Sequence, residues 1–180
     1  MGKRSNFERV ERDYYPTPYE AVVPLLEHLG TGLRFIEPCA GDGRLIDHLE
    51  RHGNECVLSI DIEPRREDIC KGFAGDVYDW VVDGDYGHID YIITNPPWRR
   101  GILHNLIHKF TIVAPTWLLF DADWMHTKQA APYLPKLAKI VSVGRVKWIE
   151  GSKMTGKDNC CWYLFTDVPN NHTQFYGRKS

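Results

Sequence analysis

The chain has 180 residues, 43% of them hydrophobic and 26% charged, with a formal net charge of −2. That is enough for one domain with a buried core, no apolar run approaches the roughly 18 residues of a membrane span, and the balanced charge excludes a polycation that coats nucleic acid indiscriminately. Five cysteines without C-x-x-C spacing, and eight histidines without partner spacing to them, point to reduced thiols and no metal site.

The opening stretch, MGKRSNFERVERDYYPTP, is charged and lacks an apolar signal region, so no secretory peptide is expected. Asn6 stands where a myristoylation signal carries Ser or Thr, and the expected compartment is the cytoplasm. Residues 1–14 read as a flexible polar arm and 15–180 as a single domain. TPYEAVVPLLEHLG has Ala21, Val22, Leu25, Leu26 and Leu29 on one helical face and Gly30 as a stop. LRFIEP then reads as a buried strand, and GDGRLIDHLERHG as a turn into a helix ended by Gly53. ECVLSIDI is a strand, DVYDWVV a short helix, HIDYIITN a strand and GILHNLIHKFTI a helix. TWLLFDAD is a strand, WMHTKQAAPYLPKLA an interrupted helical segment, and KIVSVGRVKWI and NCCWYLFTDV are the last two strands.

Strands alternating with helices predict a doubly wound α/β sheet, mostly parallel. The final two strands have only EGSKMTGKD between them, which predicts an antiparallel hairpin at the end. Ligands in such sheets bind beyond the carboxyl ends of the strands. This rule brings Glu37 to Gly43, Asp61, Asp76 and Asn95 to Trp98 to one edge.

In EPCAGDGRL, Gly41 and Gly43 let the backbone approach a ligand, and the helix that follows attracts its negative end. Neither a G-x-G-x-x-G fingerprint nor a Walker loop is present. Asp61 follows about twenty residues later, the usual distance for an acid that grips ribose hydroxyls. Asp76 comes where a third strand would end and could accept an adenine amine, or cap a helix. Together these residues read as a nucleoside pocket.

The order of EPCAGDG, SIDIEP, GDV and NPPW resembles that of class I S-adenosylmethionine-dependent methyltransferases of the N6-adenine type. YPTP (Tyr15 to Pro18) resembles the segment that closes over the cofactor in small phage and prokaryotic DNA adenine methyltransferases. The resemblance implies a seven-stranded Rossmann-like sheet and S-adenosylmethionine as cofactor. It implies cofactor contacts from Tyr15, Thr17, Pro18, Glu37, Cys39, Ala40, Gly41, Gly43, Asp61, Ile62, Asp76, Val77 and Asn95.

NPPW then acquires a chemical role. An exocyclic amine is a poor nucleophile because its lone pair is delocalised into the ring. Two acceptors, the Asn95 side-chain oxygen and the Pro96 carbonyl, would bond both N–H groups and free the lone pair. Pro96 and Pro97 hold that geometry, and Trp98 offers a face for a base taken out of its stack. Arg99 and Arg100 are expected against phosphates, and Trp148 on the other side of the base.

The expected substrate is therefore nucleic acid, DNA before RNA, with no membrane partner. A separate target-recognition domain has no room in 180 residues, so a homodimer or a recognition partner could supply that function. The alternatives are a methyltransferase of another amine (guanine N2 in RNA, or a protein glutamine) and a non-catalytic cofactor-binding subunit.

Overall fold

Runs of β-branched and aromatic residues too short for helices become strands here, and the amphipathic segments between them pack on both faces of the sheet they form. The computed structural model describes residues 14–70, 73–77, 79–80, 86–151 and 155–179, and residues 1–13 of the expected arm lie outside these. The strands are β1 (Arg34–Glu37), β2 (Glu55–Asp61), β3 (Phe73–Ala74), β4 (Tyr91–Thr94), β5 (Thr116–Asp121), β6 (Leu137–Arg145), β7 (Asn159–Phe165) and β8 (Gln174–Tyr176). The helices are α1 (Tyr19–Leu26), α2 (Arg44–Glu50) and α3 (Arg100–Thr111).

The strand order is β3-β2-β1-β4-β5-β7-β6-β8. β7 runs antiparallel to β5 and β6, and every other neighbouring pair is parallel. This is the expected doubly wound sheet with its antiparallel hairpin, plus β8, a short strand that no sequence pattern announced.

Alternate residues feed two cores. Phe35, Ile93, Trp117, Leu119 and Trp162 pack with α1 and α2, while Ile36, Ile92, Leu118, Phe120 and Phe165 pack with α3. The fully buried Trp162 also ties the layers together, because its indole N–H donates to the Ala21 carbonyl in α1 at 2.8 Å.

Two local expectations take a more specific form. The interrupted helical segment after β5 is not α-helical but consists of three short 3-10 helices, Ala122–His126, Lys128–Ala130 and Leu134–Lys136. Pro132 and Pro135 lack the N–H that an α-helical ladder needs, and Leu137 and Ala138 open β6 instead. In DVYDWVV, the Asp79 N–H bonds the Asp76 carbonyl at 2.8 Å in a single turn. Residues 78 and 81–85 lie outside the described residues.

The chain steps outward from β1 to β2 and β3 on one side, and from β4 to β5 on the other. The crevice opens where these directions part, at the carboxyl ends of β1, β2 and β4.

Candidate active site

The loop from β1 to α2 is drawn tight by backbone bonds. Ala40 N–H reaches the Ile60 carbonyl at 2.9 Å, and Gly43 N–H the Ala40 carbonyl at 2.7 Å. Two glycines make this possible, with φ of +54° at Gly41 and +77° at Gly43, a region L side chains rarely adopt. A Cβ on Gly41 would stand 2.8 Å from the Tyr14 ring, and one on Gly43 2.4 Å from Ile69 Cδ1.

Asp61, at the end of β2, braces the loop. One carboxylate oxygen accepts from Gly41 N–H at 2.7 Å and the other from Glu63 N–H at 2.7 Å. A carboxylate offers about four lone-pair sites, so acceptor capacity remains. The segment after β2 folds back over the loop. Arg65 N–H bonds the Gly41 carbonyl at 3.0 Å, and the Arg66 guanidinium grips both oxygens of Asp47 in α2 at 2.7 and 3.0 Å.

These loops enclose a cavity of about 270 Å3. Its floor is Glu37 to Asp42, with Asp61, Ile62 and Glu63 on one side, Asp76 and Val77 on the next, and Tyr14 to Thr17 across the top. Leu45, Arg65, Asn95, Pro97, Arg99, Ile102 and Leu106 complete it. Ile62 is 56% exposed, an apolar shelf at the cavity rim.

Glu37 is the most unusual group in the cavity. It is 1% exposed, with Oε1 accepting from Cys39 N–H at 3.1 Å and Oε2 buried without a hydrogen-bond partner. Burial pushes its carboxyl up to about 8, opposed by the neighbouring Thr94 hydroxyl and the Cys39 N–H and helped by the Asp61 charge. The Thr94 hydroxyl nevertheless meets no hydrogen-bond geometry. An orphaned acceptor facing a cavity leaves room for a cationic or N–H-bearing ligand group. Burial also raises the Cys39 thiol well above its ordinary value, so Cys39 lines the wall as an inert neutral group.

Asn95 follows β4 and closes the far wall. Its Nδ2 donates to the Tyr15 carbonyl and to Thr17 Oγ1, each at 3.2 Å. With the NH2 group committed twice, the carbonyl end Oδ1 is the acceptor of the side chain. The Trp98 indole N–H is shared between Oδ1 at 3.3 Å and the Leu119 carbonyl of β5 at 3.1 Å. Trp98 is half-buried and meets Trp148 edge to face at 5.8 Å between centroids. Trp148 in turn lies 6.2 Å from the Tyr15 ring.

Most of the residues singled out in the sequence therefore share one cavity. Pro18, Gly43, Pro96, Trp98, Arg100 and Trp148 do not line it. Gly43 and Pro96 are buried in the loops that frame it, Trp98 and Trp148 stand beside it, and the Arg100 guanidinium turns to Gln129 Oε1 at 2.9 Å. Arg99 lines the cavity itself. Among the described residues no group of three metal-ligating side chains occurs.

Sequence reasoning missed the Tyr14–Arg65 contact, in which the guanidinium carbon lies 4.0 Å from the ring centroid over the Gly loop. Nothing in the sequence signals it. Ile102 and Leu106 were legible as an i, i+4 pair on the apolar face of the helix after NPPW.

No protein-family model matches the chain, and no curated protein sequence does. Solved structures do. A candidate RNA methyltransferase from Pyrococcus horikoshii superposes with a TM-score of 0.58 and 18% identity, covering 91% of each chain. A TehB-like S-adenosylmethionine-dependent methyltransferase from Corynebacterium glutamicum gives 0.50 at 15% identity, over 82% of this chain and 87% of the other. The fold is that of the S-adenosylmethionine-dependent methyltransferases. The methyltransferase subunit of a type I restriction-modification system from Streptococcus thermophilus carries it too. Its TM-score is 0.58 at 9% identity, over 91% of this chain and 47% of that subunit. In the methyltransferase fold the cavity sits where the sheet direction switches.

Proposed function

We propose that the protein transfers a methyl group from S-adenosylmethionine to the exocyclic N6 amine of adenine in nucleic acid, DNA before RNA. The observation that carries this reading is the commitment of Asn95. Its NH2 end is spent on Tyr15 and Thr17, which leaves an acceptor on the wall of the cavity that also holds Glu37, Asp61 and Asp76.

The residues present fit the cofactor. Glu37 Oε2 is a buried acceptor without a partner and suits the amino group of the methionine end, with Thr17 and the Ala40–Gly43 backbone nearby. Asp61 takes ribose hydroxyls on its remaining lone pairs, Ile62 packs on the adenine ring and Asp76 accepts its amine. When bound, the cofactor supplies an electrophilic methyl group on a sulfonium.

The chain's own part is orientation. Asn95 Oδ1 and the Pro96 carbonyl accept the two N–H groups of the target amine and turn its lone pair toward the methyl group. Pro96 and Pro97 hold that carbonyl still, which matters where ~1 Å of misplacement costs about 10²-fold. No strong base is needed, because the amine sheds its proton after attack. Trp98 and Trp148 flank the place where an unstacked base would lie.

Labelled transfer to unmethylated single- and double-stranded DNA, bulk RNA and protein, followed by digestion and mass identification, tests the reading. N6-methyladenine supports it, whereas N2-methylguanine or methylglutamine as sole product refutes it.

A further inference from the structure

β8 delivers charge to the edge where the cavity opens. It runs parallel to β6, with Lys139, Ile140 and Val141 opposite Gln174, Phe175 and Tyr176. Gly144 of β6 faces Cys160 of β7, which faces Asp121 at the carboxyl end of β5. The residues after Tyr176 therefore emerge at the same edge as the ends of β4, β5 and β6.

There the Arg178 guanidinium lies over Gly144. A Cβ on Gly144 would stand 2.7 Å from Arg178 Nη1, and φ at that glycine is +87°. Arg145 and Lys147 come next along the chain, and both are exposed. Lys179 reaches Glu27, the residue after α1. Among the described residues Arg145, Lys147 and Arg178 form no ion pair.

Trp148 joins this strip to the cavity. Gly156, across the hairpin, lies so close that a Cβ there would be 3.1 Å from the Trp148 indole, and the ring's other neighbours are Trp98 and Tyr15. Trp98 bonds Asn95 and meets Trp148; Lys147 and Arg145 precede Trp148 in the chain, and Arg178 lies over Gly144. From β4 to β8 the sheet crosses four strand spacings of about 4.8 Å, or ~19 Å.

We propose that Arg145, Lys147 and Arg178 form a phosphate track that holds one nucleic-acid strand beside the target base. The end of β6 and the residues after β8 thereby supply sequence-independent recognition. This inference rests on the nucleic-acid reading of the cavity. The occupant is a single strand, whose one backbone three exposed cations can follow. At ~3.4 Å per stacked nucleotide, the track reaches about five or six nucleotides from the base.

The test is anisotropy of a labelled 12-nucleotide single strand between 0.1 and 1 M salt. Each phosphate contact on a single strand contributes about 0.7 to the slope of log affinity against log salt. In Arg145→Ala/Arg178→Ala the slope should fall by about 1.4, so that binding is ~25-fold weaker at 0.1 M and converges with the unsubstituted protein at 1 M. Arg145→Lys/Arg178→Lys should restore the slope, while melting temperature and S-adenosylmethionine affinity stay the same in both variants. An unchanged slope in the alanine variant overturns the track and leaves the cavity reading standing. Absence of binding by the unsubstituted protein to any single strand overturns the track and the nucleic-acid reading together.

Discussion

Glu37 offers a test that needs no substrate. Its carboxyl, 1% exposed, is pushed from 4.5 up to about 8 by burial. Between those values the folded chain holds a proton that the unfolded chain has released. Stability must therefore fall as pH rises through that window, at about 1.4 kcal/mol per pH unit. From pH 5.5 to 7.5 the loss is ~2.7 kcal/mol, a large share of a stability of roughly 5–15 kcal/mol. Glu37→Gln keeps the side-chain shape and the acceptor for Cys39 N–H but does not titrate, so subtracting its profile cancels every other group. The assay is urea unfolding of both proteins at half-unit pH steps. A difference profile that is flat across the window refutes the burial argument. The cofactor adds a second readout. A cationic amino group beside Oε2 requires the carboxylate, so binding at pH 6.5 should release about one proton, seen as a buffer-dependent enthalpy in calorimetry. Glu37→Gln should abolish that release.

Three substitutions probe the rest of the site. Asn95→Ala should lower methyl transfer by 10²-fold or more and cofactor affinity only several-fold, as measured by single-turnover transfer and calorimetry; a large loss of affinity alone would give Asn95 a cofactor role instead. Trp98→Phe keeps an aromatic face but removes the N–H shared by Leu119 and Asn95. Turnover should fall by roughly 5- to 30-fold, the worth of about 1–2 kcal/mol, with nucleic-acid affinity unchanged. Gly43→Ala forces a side chain into φ +77° and against Ile69, and should cost about 1–3 kcal/mol in urea unfolding; an unchanged midpoint would mean the loop shifts freely.

The sequence was most legible where chemistry demands residue types at fixed spacing. Gly41, Gly43, Asp61 and Asn95 sit at strand ends whose order follows from alternating strands and helices, so they could be brought together without coordinates. β8 was illegible for a physical reason. Its three residues are all exposed, so no in–out alternation marks them, and the strand exists because it covers the outer edge of β6. The 3-10 turns after β5 show the limit of periodicity. Their apolar spacing suits a helix, but Pro132 and Pro135 remove the bonds a helix needs. Tyr14 over Arg65 is a contact between two loops, and loops carry no period. The Asn95 and Asp61 hydrogen bonds were likewise beyond reach, because partners across loops are chosen by tertiary packing.

These partners explain why NPPW needs the segment that precedes the first helix. A lone asparagine at a strand end could rotate and present either end of its amide. Here Tyr15 and Thr17 take the NH2 end, and Trp98, anchored to β5, takes part of the carbonyl end. Three separate parts of the chain thus fix one carboxamide, and two prolines fix the carbonyl next to it. An arrangement that spends this much structure on aiming acceptors suits a reaction limited by the direction of a lone pair rather than by basicity. It also links the two halves of the cavity. Tyr15 and Thr17 line the same cavity as Glu37 and Asp61, so whatever orders that segment also aims Asn95.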